Sequence, residues 1–384
     1  MHLKEILELV VSRKASDLHI TIGEPPIIRI DGDLIPTEFP ALTPEDTKSL
    51  IYGILNDSQK VRFEEELELD LSLFIPGISR FRVNVHQQKG CVEAAFRTIP
   101  MDIPHIDTLG LPEIAKVLAR KPTGLVLLTG PTGTGKSTTM AAMVDLINRE
   151  RRCLIISAED PIEYLHTNKK SIIKQREVGS DTHSFAVALK HVLRQDPDVL
   201  LVGEMRDLET ISNTITAAET GHLVISSLHT PDAAQTIDRL IDVFPPAQQK
   251  QVMVQLAGCL QGVMAQILLP DKSGHGRSVA TEVMIGTAGV RNVIREHKTH
   301  QIPTLIQTGT QYGMHSMDHS LKQLVLNGKV KYSEIVGHIK DQDVLRDIPD
   351  TLKEDEGGGE GGEILIEERE SEKKKRFGRR GKNK

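Results

Sequence analysis

Tryptophan is absent from this 384-residue chain, and phenylalanine and tyrosine bring the aromatics to only 3%. So few rings leave little on which bases could stack, and a net charge of −6 gives no general attraction for phosphate backbones. Both argue against a nucleic-acid partner. Cysteine is scarce as well: Cys91, Cys153 and Cys259 lie far apart, so neither a disulfide framework nor a CxxC zinc site is expected. No apolar run approaches the roughly 20 residues that a membrane-spanning helix needs. The opening Met1-His-Leu-Lys-Glu-Ile6 carries an acidic residue and has no cleavable signal pattern. What remains, 39% hydrophobic and 26% charged, is the composition of a soluble cytoplasmic protein long enough for two domains.

The most specific stretch is Gly130-Pro131-Thr132-Gly133-Thr134-Gly135-Lys136-Ser137, which fits G-x-x-x-x-G-K-[ST] and is followed by Thr138. Glycines allow a tight turn whose N–H groups face phosphate oxygens. The Lys136 amine reaches the β- and γ-phosphates, and the Ser137 hydroxyl ligates Mg²⁺. Context agrees: Gly124–Thr129 is an apolar, strand-like run, and Thr138–Asn148 has the spacing of an amphipathic helix. This is the signature of a nucleotide site for ATP and Mg²⁺.

Around it the chain divides. Residues 1–100 mix helical and alternating segments. Helices are expected near 2–14, 43–55 (capped by Thr43, with Pro44 first) and 57–67; strands are expected at 17–22, 27–30, 69–74, 80–86 and 92–98. They read as a small α/β domain with an antiparallel sheet. A linker follows at 101–110, marked by Pro100 and Pro104. From 111 to 346 buried strands alternate with helices, the mark of a mainly parallel sheet, with strands at 124–129, 153–157, 198–202 and 223–228. The stretch 347–384 reads as a disordered tail: Gly-rich, then acidic, then basic.

Each of those four strands ends in polar residues, where ligands of open α/β sheets bind. Glu159, Asp160 and Glu163 crowd one such end, and crowded carboxylates call for a cation or a reactive water. Glu163 is the candidate general base; Glu159 and Asp160 are candidate metal ligands. Val199-Leu-Leu-Val-Gly-Glu204 ends in a carboxylate suited to the Mg²⁺ shell, alongside Ser137. His222 and His229 bracket one strand at an odd separation, which sets them on opposite faces. His229 suits a γ-phosphate sensor and His222 a structural or subunit contact. Arg80, Arg82 and Arg97 could neutralise charge developing in phosphoryl transfer, or could simply be surface charges.

Taken together, 130–137, Glu159-Asp-Pro-Ile-Glu163, Val202-Gly-Glu-Met-Arg-Asp207 and the Gly221–Thr230 segment resemble the Walker A, Asp box, Walker B and His box of secretion ATPases. More narrowly the chain resembles the PilT family of type IV pilus retraction motors. Lys14–His19, Arg80–Asn84, Gln175–Val178, Ala217–Gly221 and Ile237–Pro245 carry that likeness, as does Gly289-Val-Arg-Asn-Val-Ile-Arg-Glu296, similar to a signature linked to retraction. The resemblance implies a PAS-like N-terminal domain, a RecA-like ATPase domain and a homo-hexamer. It implies ATP between domains, reached by Arg80, Arg82 and Arg97. It also implies work on the inner-membrane platform protein of the pilus machine, from the cytoplasmic face. A PilU-like accessory motor is the nearest alternative. Assembly and type II secretion ATPases usually add a four-cysteine zinc motif that these three cysteines cannot make.

Overall fold

Alternation of apolar and polar residues builds the N-terminal sheet. In the computed structural model, which describes residues 2–30, 32–99 and 102–353, the first half contains α1 (Leu3–Ser12), β1 (Asp17–Ile20), β2 (Ile27–Ile30), β3 (Asp33–Pro36), α2 (Pro44–Tyr52), α3 (Asp57–Glu66), β4 (Glu68–Ile75), β5 (Ser79–Gln88) and β6 (Cys91–Ile99). The six strands run in the order β3-β2-β1-β6-β5-β4, antiparallel throughout. Along β5, Ser79, Phe81, Val83 and Val85 are buried, and Arg80, Arg82 and Asn84 take the other face. The buried set packs on Ile6 and Leu7 of α1, Ile51 of α2 and Phe63 of α3. Thr43 caps α2 as expected: its hydroxyl accepts the Asp46 N–H at 3.2 Å, and the Asp46 carboxylate accepts the Thr43 N–H at 3.0 Å. Strand β3 was not among the expected elements.

The second sheet is assembled from near-continuous apolar runs. Its elements begin with α4 (Ile114–Ala119), β7 (Gly124–Thr129), α5 (Lys136–Glu150), β8 (Leu154–Glu159), β9 (Ile172–Glu177), α6 (Phe185–Val192), β10 (Val199–Val202), α7 (Leu208–Glu219) and β11 (Leu223–Leu228). They continue with α8 (Ala233–Asp242), α9 (Pro246–Cys259), β12 (Leu260–Pro270), β13 (Arg277–Ile285), α10 (Ala288–Arg295), α11 (Ile302–Thr308), α12 (Met317–Leu326), α13 (Tyr332–Val336), α14 (Asp343–Arg346) and α15 (Asp350–Lys353). The strand order is β13-β12-β7-β11-β10-β8-β9, parallel except that β13 returns antiparallel to β12. Helices cover both faces, so every residue of β7, β10 and β11 is buried. Among the described residues no helix is long and apolar enough to cross a membrane.

Several expectations need correction. Helix α5 is not amphipathic: Thr139 to Asn148 is buried without a break. The segment after residue 163 folds over the side expected to meet solvent. There Asn148 accepts the N–H of Lys169 at 3.0 Å and donates to the Thr167 carbonyl at 2.8 Å, and Asp145 is paired with Lys169 and Arg149. The strand expected at 153–157 extends to Glu159, and β9, β12 and β13 were not anticipated. The linker at 101–110 is partly core, since Ile106 packs against Ala142, Leu146 and neighbours. At the other end, Ile348 is 1% exposed and packs with Leu321 and Ile335, so packed chain continues beyond 346. The glycine-rich and charged part of the expected tail, 354–384, lies outside the described residues.

Phe81 is fully buried at the centre of the N-terminal core. Phe81→Ala should therefore destabilise that domain by about 3–5 kcal/mol, seen as an earlier urea transition; an unchanged midpoint would contradict the packing described.

Candidate functional site

The parallel strands deliver their chemistry to one edge. After Thr129 the loop turns on three glycines in the left-handed region, Gly130 (φ 140°), Gly133 (φ 82°) and Gly135 (φ 83°). At Gly130 space is as decisive as angle, because a Cβ there would stand 2.4 Å from the Gln266 carbonyl oxygen of β12. Gln266 also donates its side-chain amide to the Thr134 carbonyl at 2.7 Å, clamping the loop from below. Thr134 donates in turn to the Pro131 carbonyl at 2.9 Å, while Pro131, Thr132 and Gly133 face outward. Lys136 opens α5 and is buried, its ammonium donating to the carbonyls of Gly130 at 2.7 Å and Pro131 at 2.9 Å. Burial holds its pKa below the ordinary value, against the pull of the Glu163 and Glu204 carboxylates. Ser137 and Thr138 follow in the first turn, and Thr138 shares a 2.9 Å hydrogen bond with the Tyr164 hydroxyl. Open glycine N–H groups, a helix N-terminus and a lysine fit an anionic phosphate; the hydroxyl of Ser137 and the carboxylate of Glu204 are oxygen donors of the kind a hard cation takes.

The crowded carboxylates separate. Glu159, at the end of β8, is 9% exposed. It accepts the Ser157 hydroxyl at 2.6 Å and the Gln175 amide at 3.1 Å, and also bonds the Glu163 backbone. Burial pushes its pKa above the ordinary range despite these bonds. It anchors a loop here, where the sequence offered it as a metal ligand. Among the described residues no trio of acidic, histidine or cysteine side chains is grouped to hold a metal ion. Asp160 is exposed, its pKa raised by partial burial and by Glu204, with Arg206 and Arg82 opposing. Glu163 stands exposed on the loop beyond.

Glu204 follows β10 and is gripped by Arg206 at 2.8 Å and by His229 Nε2 at 3.2 Å. The Ser227 hydroxyl donates to the Gly203 carbonyl at 2.6 Å, tying this turn to β11. His229 thus meets Glu204 directly, a contact the sequence did not suggest. His222 is elsewhere. It precedes β11 at the opposite end of the sheet, with Nδ1 2.9 Å from the Ala217 carbonyl at the close of α7. The two histidines are therefore separated by the length of a strand, and the parity argument does not apply.

The three arginines share one face of the N-terminal sheet, since Arg82 is directly opposite Arg97. They do different things. Arg97 is mostly exposed and donates to Asp17 at 2.9 Å. Arg82 is exposed, and its charge is felt by Asp160. Arg80 is engaged within the chain, donating to Ser72 at 2.8 Å and to Glu177 of β9 at 2.6 Å. Sequence reasoning missed Gln266, Gln175 and Glu177; only the Gln175-Arg-Glu-Val178 motif pointed toward the last two. In the segment 289–296, Arg291 donates to the carbonyls of Gly286, Gly258 and Leu260 at 2.7–3.0 Å, whereas Arg295 is exposed.

Fold and edge together are those of a secretion ATPase. The family model described as "Type II/IV secretion system protein" matches residues 1–337, and the chain belongs to that family, in its PilT branch. It is 49% identical over 330 residues to the type IV pilus retraction ATPase PilT of Pseudomonas aeruginosa, covering 86% of this chain and 96% of that protein. To the type IV pilus ATPase PilU of the same organism it is 40% identical over 346 residues, covering 90% and 91%. The solved structure of the pilus retraction motor PilT with bound ADP superposes with a TM-score of 0.84 at 45% identity, covering 90% of this chain and 99% of that one.

The raised pKa of Glu159 fixes a sign. The folded chain keeps a proton that the unfolded chain releases near the ordinary 4.5, so stability falls as pH rises above that value. Glu159→Gln should melt above the parent at pH 8, the gap closing as pH falls through the ordinary carboxylate range. A gap independent of pH would show that the charge is not the cause.

Proposed function

We propose that this chain is an ATP-hydrolysing motor that drives type IV pilus retraction. The observation carrying this reading is likeness over nearly the whole length of a retraction ATPase, with the phosphate-type loop and the carboxylate-tipped strands at one edge. ATP would be bound by 130–138, with Lys136 at its phosphates. Mg²⁺, held by Ser137 and Glu204, would neutralise charge on the phosphates, with Asp160, whose pKa Glu204 helps to raise, as a further oxygen donor. Glu163, exposed at the edge, takes the role of orienting or deprotonating water. His229 holds the Glu204 carboxylate in place, and Arg82 supplies positive charge from the N-terminal sheet. The active form is a homo-hexamer in which N-terminal domains move against ATPase domains. It works at the cytoplasmic face of the inner membrane on the platform protein of the pilus machine.

Lys136→Ala and Glu204→Ala should each lower ATP turnover by at least about 100-fold, measured as phosphate release. Full activity in either would remove the assigned site. In cells, deletion of the gene should leave abundant pili on bacteria that cannot twitch. Bald cells would instead mean an assembly motor, and normal pili with normal motility would favour the PilU-like accessory role that 40% identity keeps in view.

A further inference from the structure

Glu177 takes no part in the chemistry assigned above, yet its carboxylate joins the two domains. It ends β9 with its side chain only 4% exposed. One oxygen, Oε2, accepts both the Arg80 guanidinium at 2.6 Å and the backbone N–H of Ile162 at 3.0 Å. Arg80 is itself fixed, because its Nε donates to Ser72 of β4 at 2.8 Å. Glu177 is fixed too: its N–H donates to Asp181 at 2.9 Å, and the next N–H, of Val178, donates to the Glu159 carbonyl at 2.9 Å. Ile162 immediately precedes Glu163. The chain thus contains an unbroken link from the N-terminal sheet, through one buried oxygen, to the backbone that carries the candidate base.

We propose that Glu177 is a positioning residue through which the seating of the N-terminal domain sets the alignment of Glu163. The inference rests on the motor reading above. A buried ion pair is strongly geometry-dependent, since separating its partners strands a charge away from water. When the N-terminal sheet shifts, Glu177 loses its cation and the Ile162 amide loses a fixed acceptor. Domain movement is thereby felt at Glu163 without any contact between Arg80 and the nucleotide. In this arrangement the Arg80 guanidinium is engaged by Ser72 and Glu177, whereas Arg82, on the same face, is exposed and its charge is felt at Asp160.

The test uses the full chain with Arg80→Gln, Glu177→Gln, the double variant and Arg80→Lys. Each single glutamine variant should lower kcat for ATP about tenfold or more through misalignment, with KM changed by less than about twofold. The double variant, which strands no charge, should be no worse than the poorer single, and Arg80→Lys should keep most of the activity. Hydrogen exchange at the Ile162 amide should accelerate in Arg80→Gln. Three results would overturn the link: additive losses, unchanged Ile162 exchange, or a KM rise in Arg80→Gln that Glu177→Gln does not share. Coupled exchange in a wild-type protein that hydrolyses no ATP would refute the motor reading alone.

Discussion

The site depends on a register. β7 pairs with β11 over six residues without a slip, ending at Leu228 opposite Thr129. β10 lies in step between β11 and β8, with Val202 facing Ser226 on one side and Ala158 on the other. Because parallel strands finish together, the glycine loop, His229, Glu204 and the Asp box arrive side by side from stretches up to 100 residues apart in sequence. A shift of one residue in any pairing would exchange the two faces of a strand packed against helices on both sides, so the close packing of both faces holds the alignment of the polar edge. The core does its functional work at a distance, by leaving no second way to pack.

The charges at that edge are dispersed by their partners. Lys136 is folded onto its own loop carbonyls, Glu204 is shared by Arg206 and His229, and Glu159 is turned inward to Ser157 and Gln175. Each carboxylate thereby acquires a distinct environment, which is how neighbouring acids come to hold different tasks.

Much of this was legible in the sequence, and the limits have physical causes. The strands at Gly124–Thr129 and Leu223–Leu228 stood out because they are continuous apolar runs with breakers at both ends. The glycine loop stood out because its spacing has a single stereochemical purpose. β9 was hidden because Ile172-Ile-Lys-Gln-Arg-Glu177 is a half-exposed edge strand, mostly polar and without a clear period. Helix α5 misled because its polar residues pair with a loop more than 20 positions away, and spacing along one helix cannot report such a partner. Arg80 and Arg82 look equivalent in sequence; only the partner across the domain boundary separates them.

The segment 289–296 contains two arginines with opposite relations to the fold. Arg291 gathers three carbonyls from the end of α9, the start of β12 and the end of β13, so it closes a junction of the main chain. Arg295 faces solvent on the same helix. A motility defect traced to Arg291 would therefore report on whether that corner of the ATPase domain assembles. The same defect traced to Arg295 would report on what the assembled surface touches, and a phenotype screen that scored the two alike would confuse architecture with contact.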